Sequence, residues 1–475
     1  MNNRIARERI VRMAVAIAVV VAGFIATPVH AQGAYEKALH RRAVEAAIWG
    51  MPAVSMRSAI NATKRDLGGD WNDVVYFSKP MVSRHGFLTA NNQTPYVISS
   101  INTKDGPMVV DVPAASKTTK FFGSFIDAWQ LPIADVGPTG DDKGKGAKYL
   151  FLPPGYKGDV PEGYLVHRPA TYSLHLAFRP VSEPGGTLEQ AVEYAKGLKV
   201  YPLKDAGNPA PTRLLDAYPK KWDTLPKYDI SYFKELATVI NDEPVQERDL
   251  AMMGLLHGIG LRKGEAFSPD AKTVKILESA IRDAYDFMQW YFVTPGKALA
   301  PYWDDGKWLG PNLDKEQAAA GFPFATADRL LVDERSGGVY FWATFIPKKL
   351  GGGSFYLMGL HDADGSLLDG KSTYSLKVPA DTPAADFWSV IVYSMKTKGF
   401  VEGAKTVGLS SLDAKTLKAN DDGSVDVYFS PKPPKGAATN WIPTGEPFFL
   451  IFRFYGPQPP LFEKTWQLPN VAKLK

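Results

Sequence analysis

Residues 84–99 read RHGFLTANNQTPYVIS, and the character of the chain changes across this run. To its right, YVISSI reads as the entry to a buried strand; to its left, GFLT reads as the exit of another. Between them lie Asn91, Asn92, Gln93, Thr94, Pro95 and Tyr96. Asn tolerates left-handed backbone and Pro95 pushes Thr94 toward an extended conformation, so one reading is a tight corner whose side chains cap their own backbone. An ordinary corner needs only one or two such residues. A second reading is therefore a ligand platform: amides that donate and accept, a hydroxyl and an amphipathic ring, with Arg84 and His85 adding charge beside it. The residues by themselves support both.

On the N-terminal side of this junction, residues 32–84 read as a helical segment, with Val44, Ala47, Ile48 and Met51 on one stripe and Pro52 set to kink or end the helix. On the C-terminal side, residues 85–184 carry short apolar runs punctuated by Gly, Pro and Asp: VISSINT, GPMVVDVP, KFFGSFID, AKYLFLPP, GYLVHRPA and YSLHLAFRPV. Their number and spacing predict an immunoglobulin-like β-sandwich. Helical periodicity returns over residues 185–322, with start signals at Ser268-Pro269-Asp270 and Asn241-Asp242-Glu243-Pro244. From 323 to 475 the aromatic, β-branched runs VYFWATF, SFYLMGLHD, STYSLKVP, DFWSVIVYS, SVDVYFS and FFLIFRFYG predict a second sandwich of jelly-roll type. The expected fold class is mainly β with a helical segment, an α+β multidomain chain.

The first 31 residues are of another kind. Arg4, Arg7, Arg9 and Arg12 precede an apolar run, and Val29-His30-Ala31 places small residues where a signal peptidase reads, which predicts a signal peptide cut after Ala31 and a periplasmic or secreted protein. The apolar run is shorter than the ~20 residues a membrane span needs, and no later stretch approaches one. Loss of four Arg and one Glu with the leader leaves +2 of the formal charge of +5. No basic stripe with interleaved aromatics is present, so nucleic acid is not an expected partner. With no cysteine, the 475-residue chain has no disulfide, zinc ribbon, thiol nucleophile or iron–sulfur site.

A search for chemistry finds no G-x-S-x-G elbow and no S-x-x-K. The histidines beyond the leader (His40, His85, His167, His175, His257 and His361) form none of the short metal-binding spacings, so neither a metal site nor a cofactor is expected. Asp127 stands in the apolar run FIDAWQLP beside Trp129. It reads either as a turn carboxylate bonded to backbone amides or as an acid or base in a cleft. Asp127 and His85 are the catalytic candidates; Arg84, Asn91, Asn92, Thr94, Tyr96 and Trp129 are the ligand-binding candidates.

Several of these runs together resemble a known family. R-H followed by N-N-Q-T-P-Y, then GPMVVDVP, F-I-D-A-W and LFLPPGYKGDVPEGYLVHRPA, and later ADFWSVIVYS, NDDGSVDVYFS, NWIPTGEPFFLIFRFYGP and W-Q-L-P are similar to bacterial exported proteins that pair the domain of unknown function 1254 with the domain of unknown function 1214. The resemblance implies two sandwiches with a helical segment between them. Where that family often shows N-x-D-T-x-Y, this chain has Gln93 in place of the carboxylate, which argues against a metal or proton-transfer role there. The resemblance carries no catalytic residues with it. Two functions are expected on these grounds: a cofactor-free, hydrolase-like enzyme on a small or sugar-like substrate, with the slight preference; or a non-catalytic carbohydrate, small-ligand or envelope-interaction protein. In the second, Asn440, Trp441 and Arg453 serve as anchors or simply as core packing. Self-association is left open.

Overall fold

Alternation along one strand organises the molecule. In Phe448–Pro457, Phe448, Leu450, Phe452 and Phe454 pack into one core while Phe449 and Ile451 pack into another. Successive side chains of a strand point to opposite faces, so a strand apolar on both faces must be covered on both. The computed structural model describes residues 28–475 except 184, 305, 313, 342–344, 350–353 and 475. The leader expected over 1–31 therefore lies outside the described residues save for 28–31, whose backbone opens the first helix.

The first β unit is a six-stranded sheet in the order Leu214–Asp216, Val74–Tyr76, Val97–Asn102, Ser173–Ser182, Thr119–Asp127, Pro132–Val136. A four-stranded sheet, Lys199–Pro202, Met108–Val112, Ala147–Phe151, Leu165–His167, packs on it. Val97, Ile101, Phe125, Leu176 and Phe178 of the first meet Val110, Tyr149 and Phe151 of the second in a shared core. The second unit repeats the plan. Six strands run Leu299–Pro301, Trp308–Pro311, Ser354–Gly359, Phe448–Pro457, Ala384–Ser394, Gly408–Ser410, and four run Trp441–Pro443, Val425–Ser430, Thr373–Val378, Ala472–Leu474. Leu357, Val390, Phe452 and Phe454 face Tyr374, Leu376, Val427 and Phe429 between them.

A third core joins the two units. The helix Pro28–Leu67 buries Ala46, Ala47, Trp49, Met51 and Val54 against the helices Ile230–Asp242, Leu250–Gly258 and Ala271–Val293. Into the same core come Ile98 and Ala177 from the back of the first large sheet, and Met358, Ile391, Tyr393, Phe449 and Ile451 from the back of the second. The Phe292 and Phe449 rings lie 5.2 Å apart at the helix–sheet contact.

The mainly β, multidomain reading holds; its local boundaries shift. Pro52 does not end the first helix, which continues to Leu67. Proline removes the amide donor that Ile48 O would accept, and other carbonyls of that stretch take long-range donors: Tyr232 Oη to Ala47 O at 2.6 Å, Arg335 Nη2 to Trp49 O at 3.2 Å and Gln130 Nε2 to Pro52 O at 3.0 Å. The second large sheet begins at Leu299, ahead of residue 323, and Val74–Tyr76, Lys199–Pro202 and Leu214–Asp216 join the first unit from stretches read as helical. The run VYFWATF is not a strand where it is described. Glu334–Tyr340 is a π-helical turn, because Tyr340 Oη is drawn to the Gln130 carbonyl at 2.6 Å and buried Arg335 to that of Trp49. The start signal at Ser268-Pro269-Asp270 caps through Asp270, whose carboxylate accepts from Thr273 N at 2.7 Å, whereas Glu243 closes the preceding helix.

Because one core serves both β units, they should unfold together. Phe449→Ala should cost about 3–5 kcal/mol and leave a single urea transition monitored by both tryptophan fluorescence and far-ultraviolet circular dichroism.

Candidate functional site

Cross-strand register sets the composition of the second sheet's inward face. Tyr356, Arg453 and Ser389 are direct neighbours across three adjacent strands, and the next row on that face is Ser354, Tyr455 and Phe387. Opposite them, Arg179 shares the outward face of the first sheet with Ala177 and His175. The corner 89–96 fills the space between. Four sets of contacts cross this seam. Arg179 Nη1 donates to Tyr356 Oη at 2.9 Å, Asn91 Nδ2 to Tyr455 Oη at 2.6 Å, and Arg453 Nη2 to Thr89 O at 3.1 Å. The Tyr393 hydroxyl donates to Ala90 O.

The charge here is one-sided. Among the described residues neither Arg179 nor Arg453 has a carboxylate within ion-pairing distance; phenol rings surround them instead. The Arg453 guanidinium lies 5.0 Å from the Tyr356 ring centre and 5.6 Å from that of Tyr393, and Arg179 lies 5.8 Å from that of Tyr96. Arg453 is only 3% exposed, yet its Nη1 has no partner; neither do the buried Thr94 and Ser389 hydroxyls. Burial of an unpaired guanidinium costs several kcal/mol, and π faces and one carbonyl return part of that. Tyr356 and Arg179 are only partly buried, so the arrangement reaches solvent at that end.

Electrostatics separate the phenols. Burial by itself would push the Tyr356 hydroxyl up; Arg179 and Arg453, with hydrogen bonds donated by Arg179 and by Ser354 Oγ at 3.0 Å, overcome it and bring the hydroxyl down to about 8. Burial moves Tyr393 and Tyr455 the other way.

The structure thus brings Asn91 and Tyr96 to the seam, with Thr94 buried between them in the chain. Asn91 does both jobs seen in the sequence: its Oδ1 caps Gln93 N at 2.9 Å while its amide nitrogen reaches Tyr455. Asn92 is turned to Gln93, accepting its side-chain amide at 2.8 Å. The remaining candidates sit elsewhere. Arg84 is exposed and donates to Tyr218 O at 2.7 and 3.2 Å. His85 is buried, with Nδ1 taking Val82 N at 3.0 Å and Nε2 placed 3.2 Å from Tyr218 O; burial lowers its pKa. Asp127 Oδ1 accepts from Trp129 N and Leu131 N, each at 2.8 Å, in a turn that places Gln130 at φ 62°. Burial, only partly offset by those amides and by Arg248 and Arg335, raises Asp127 to about 6. Trp129 packs 4.4 Å from Trp49 and under Arg335, beside a cavity of about 10 Å³, the room of one water. No described contact joins Asp127, His85 or Arg84 to the arginine pair.

Arg179, Tyr356 and Tyr455 were missed by sequence reasoning, and Arg453 was noted only as an anchor or packing residue. An arginine inside FFLIFRFYG, a run otherwise apolar on both faces, was the available signal. Asn440 and Trp441 are structural: Asn440 Nδ2 donates to Lys418 O at 2.8 Å and Trp441 Nε1 to Ser430 O at 2.9 Å. Among the described residues no cluster of His, Asp or Glu is arranged to hold a metal, and no helix is long and apolar enough to cross a membrane.

Residues 71–202 match the family model described as "Protein of unknown function (DUF1254)" and residues 353–459 that described as "Protein of unknown function (DUF1214)". The chain is a DUF1254–DUF1214 protein. The DUF1254 match contains Asn91, Thr94, Tyr96 and Arg179, and the DUF1214 match contains Tyr356, Ser389, Arg453 and Tyr455, so each family supplies one guanidinium. The fold is similar to that of the VPA0106 protein from Vibrio parahaemolyticus, with a TM-score of 0.53 at 18% identity, covering 91% of this chain and 100% of that one. A putative uncharacterised protein from Burkholderia cenocepacia aligns over 94% of this chain and 96% of its own, at 13% identity and a TM-score of 0.37. Part of the chain is similar to the tyrosine recombinase XerC of Vibrio cholerae serotype O1, 43% identical over 65 residues, which is 14% of this chain and 21% of the recombinase. Its counterpart in Vibrio campbellii is 34% identical over 113 residues, 24% of this chain and 35% of that protein. The DUF1254–DUF1214 chain thus spans about a fifth to a third of the length of these curated relatives.

Two outcomes are expected. Asp127 holds its proton more tightly in the folded state, so its contribution to stability is full below the unfolded value near 4 and is lost as pH rises through about 6. Asp127→Asn should remove a component of about 2 kcal/mol from the difference in urea stability between about pH 4 and about pH 7. Thr89 is β-branched, has φ 45°, and its hydroxyl makes no described hydrogen bond; Thr89→Asn should raise the melting temperature, by the equivalent of about 1 kcal/mol.

Proposed function

We propose that the seam between the DUF1254 and DUF1214 units recognises a small ligand through an oxyanion, a carboxylate or phosphate group. The observation that carries this reading is the pair of guanidiniums, one from each unit, that no described carboxylate answers. Paired planar donors with phenolic and amide groups alongside match the geometry and charge of an oxyanion. Thr94, Ser389 and Arg453 Nη1 contribute buried polar atoms without partners, which supports a ligand at this place over simple packing. Glycans fall within the proposal where they carry an acidic group.

The hydrolase-like reading is the second. What favours it is Tyr356, a phenol held near about 8 beside the same guanidiniums and so able to give or take a proton at moderate pH. Export to the periplasm, supported by the basic, then apolar, then small-residue pattern of residues 4–31, belongs to the same proposal, as do the immunoglobulin-like and jelly-roll assignments of the two sandwiches and self-association.

A thermal-shift series at low ionic strength tests the seam, using malonate, sulfate and neutral monosaccharides on wild type, Arg453→Met and Arg179→Met. Anions should raise the wild-type melting temperature and neutral sugars should not. Arg453→Met should be at least as stable as wild type without added anion, since it removes an uncompensated buried charge, and should lose the anion response. An anion response surviving in both variants would sink the assignment. Product formation from esters, amides or glycosides by wild type would favour the hydrolase; a shift without turnover favours recognition alone.

A further inference from the structure

We propose that Tyr356 is the proton-exchanging group of the seam, so that an anionic ligand enters together with one proton and the protein takes up, in net terms, the acid. This rests on the oxyanion reading above and adds to it a stoichiometry and a residue.

The hydrogen-bond directions suggest it. Tyr356 Oη accepts from Arg179 Nη1 at 2.9 Å and lies 3.0 Å from Ser354 Oγ, a hydroxyl that can donate to it once the phenol proton is lost. A phenol oxygen with two donors aimed at it, one of them cationic, is arranged as a phenolate. Among the described residues, the charged and titratable groups around it come from both sheets. Arg179 comes from the first sheet; Arg453 lies 5.0 Å from its ring, on the neighbouring strand; Tyr393 and Tyr455 lie beside it, and Tyr96 lies on the far side of Arg179's guanidinium contact. The arginines stay charged at all working pH. Burial raises Tyr393 and Tyr455, whereas Tyr356 moves down, to about 8.

In the free protein the Tyr356 oxygen partly neutralises Arg179. An arriving oxyanion competes for the same guanidinium. Once the anion holds Arg179, the phenolate is left beside a second negative charge, and it accepts one proton from solvent. The phenol O–H bond forms as the bond to that proton in hydronium or the buffer acid breaks; a monoanion leaves the charge of the seam unchanged, and a dianion such as sulfate lowers it by one. A ligand that binds the protonated form binds less tightly as that form is depleted, so affinity should fall about tenfold per pH unit above about 8.

The test is calorimetry of the full chain with malonate and with sulfate, in buffers of different ionisation enthalpy, from about pH 6 to about pH 10, alongside tyrosinate absorbance. Near pH 9 the expected result is close to one proton taken up per anion bound, and near pH 6 none. A phenolate signal titrating near pH 8 should be suppressed by saturating anion. Tyr356→Phe should lose both the proton uptake and the pH dependence, leaving a pH-independent affinity. Binding by wild type without proton uptake, or uptake that persists in Tyr356→Phe, overturns the proposal and leaves the oxyanion seam standing. Failure of wild type to bind either anion at any pH overturns the seam, and this proposal with it. If Tyr356→Phe does not fold, the wild-type phenolate decides: its absence, or its indifference to anion, overturns the assignment.

Discussion

A buried guanidinium must be answered, and the answer Arg453 receives is incomplete. It has one carbonyl, that of Thr89, and two phenol faces, with one nitrogen left over. The contact with Thr89 does more than satisfy a donor. It draws the corner 89–96 of the first β unit onto the back of the second sheet, where Tyr393 takes the Ala90 carbonyl and Asn91 finds Tyr455. Thr89 also donates its amide to Lys398 O at 2.8 Å, so the corner is gripped on both sides. A β-branched residue at positive φ persists only where its surroundings over-determine it, and these bonds supply that determination.

The shared apolar core beside this corner explains why two β units and a helical layer form one structure. Each unit closes its own core between its two sheets, and each large sheet then presents a second face that is partly apolar and partly polar. The apolar parts, Ile98 and Ala177 on one side and Met358, Ile391, Phe449 and Ile451 on the other, bury with the helices. Arg179 and the rows containing Tyr356 and Tyr455 emerge beside that shared core. A polar seam at the edge of an apolar junction combines exclusion of water with access at one end, the combination ligand sites use. The buried turn of Asp127 and Trp129 also lies at a junction, where it contacts the first helix around Pro52, Thr171 and Tyr340. It holds the layers in place.

Strand patterning made the β regions legible: the runs around Val97, Phe121, Leu174, Phe387 and Phe448 all became strands. Runs failed where a distant partner outweighed local preference. VYFWATF has the composition of a strand, yet Tyr340 and Arg335 are claimed by Gln130 and by the turn around Pro52, and the backbone coils to let them reach. The short strands Val74–Tyr76 and Leu214–Asp216 carry too little pattern to be seen alone. Val74–Tyr76 is a strand because the Val97–Asn102 edge offers unpaired backbone groups, and Leu214–Asp216 because Val74–Tyr76 then offers the next edge.

The corner NNQTPY shows the same division. Its residue types by themselves determined a turn rich in hydrogen-bonding groups, and composition excluded thiols, disulfides and a basic nucleic-acid stripe. Alternation in FFLIFRFYG likewise determined that Arg453 and Tyr455 share one face. Only the tertiary structure decided what covers that face: a second arginine from the other β unit, the Thr89 carbonyl and the amide of Asn91. The reason is physical. Backbone geometry propagates the direction of a side chain over a few residues, whereas its partner across a layer is set by how whole sheets dock, and that docking is decided by the summed burial of surfaces far apart in the chain.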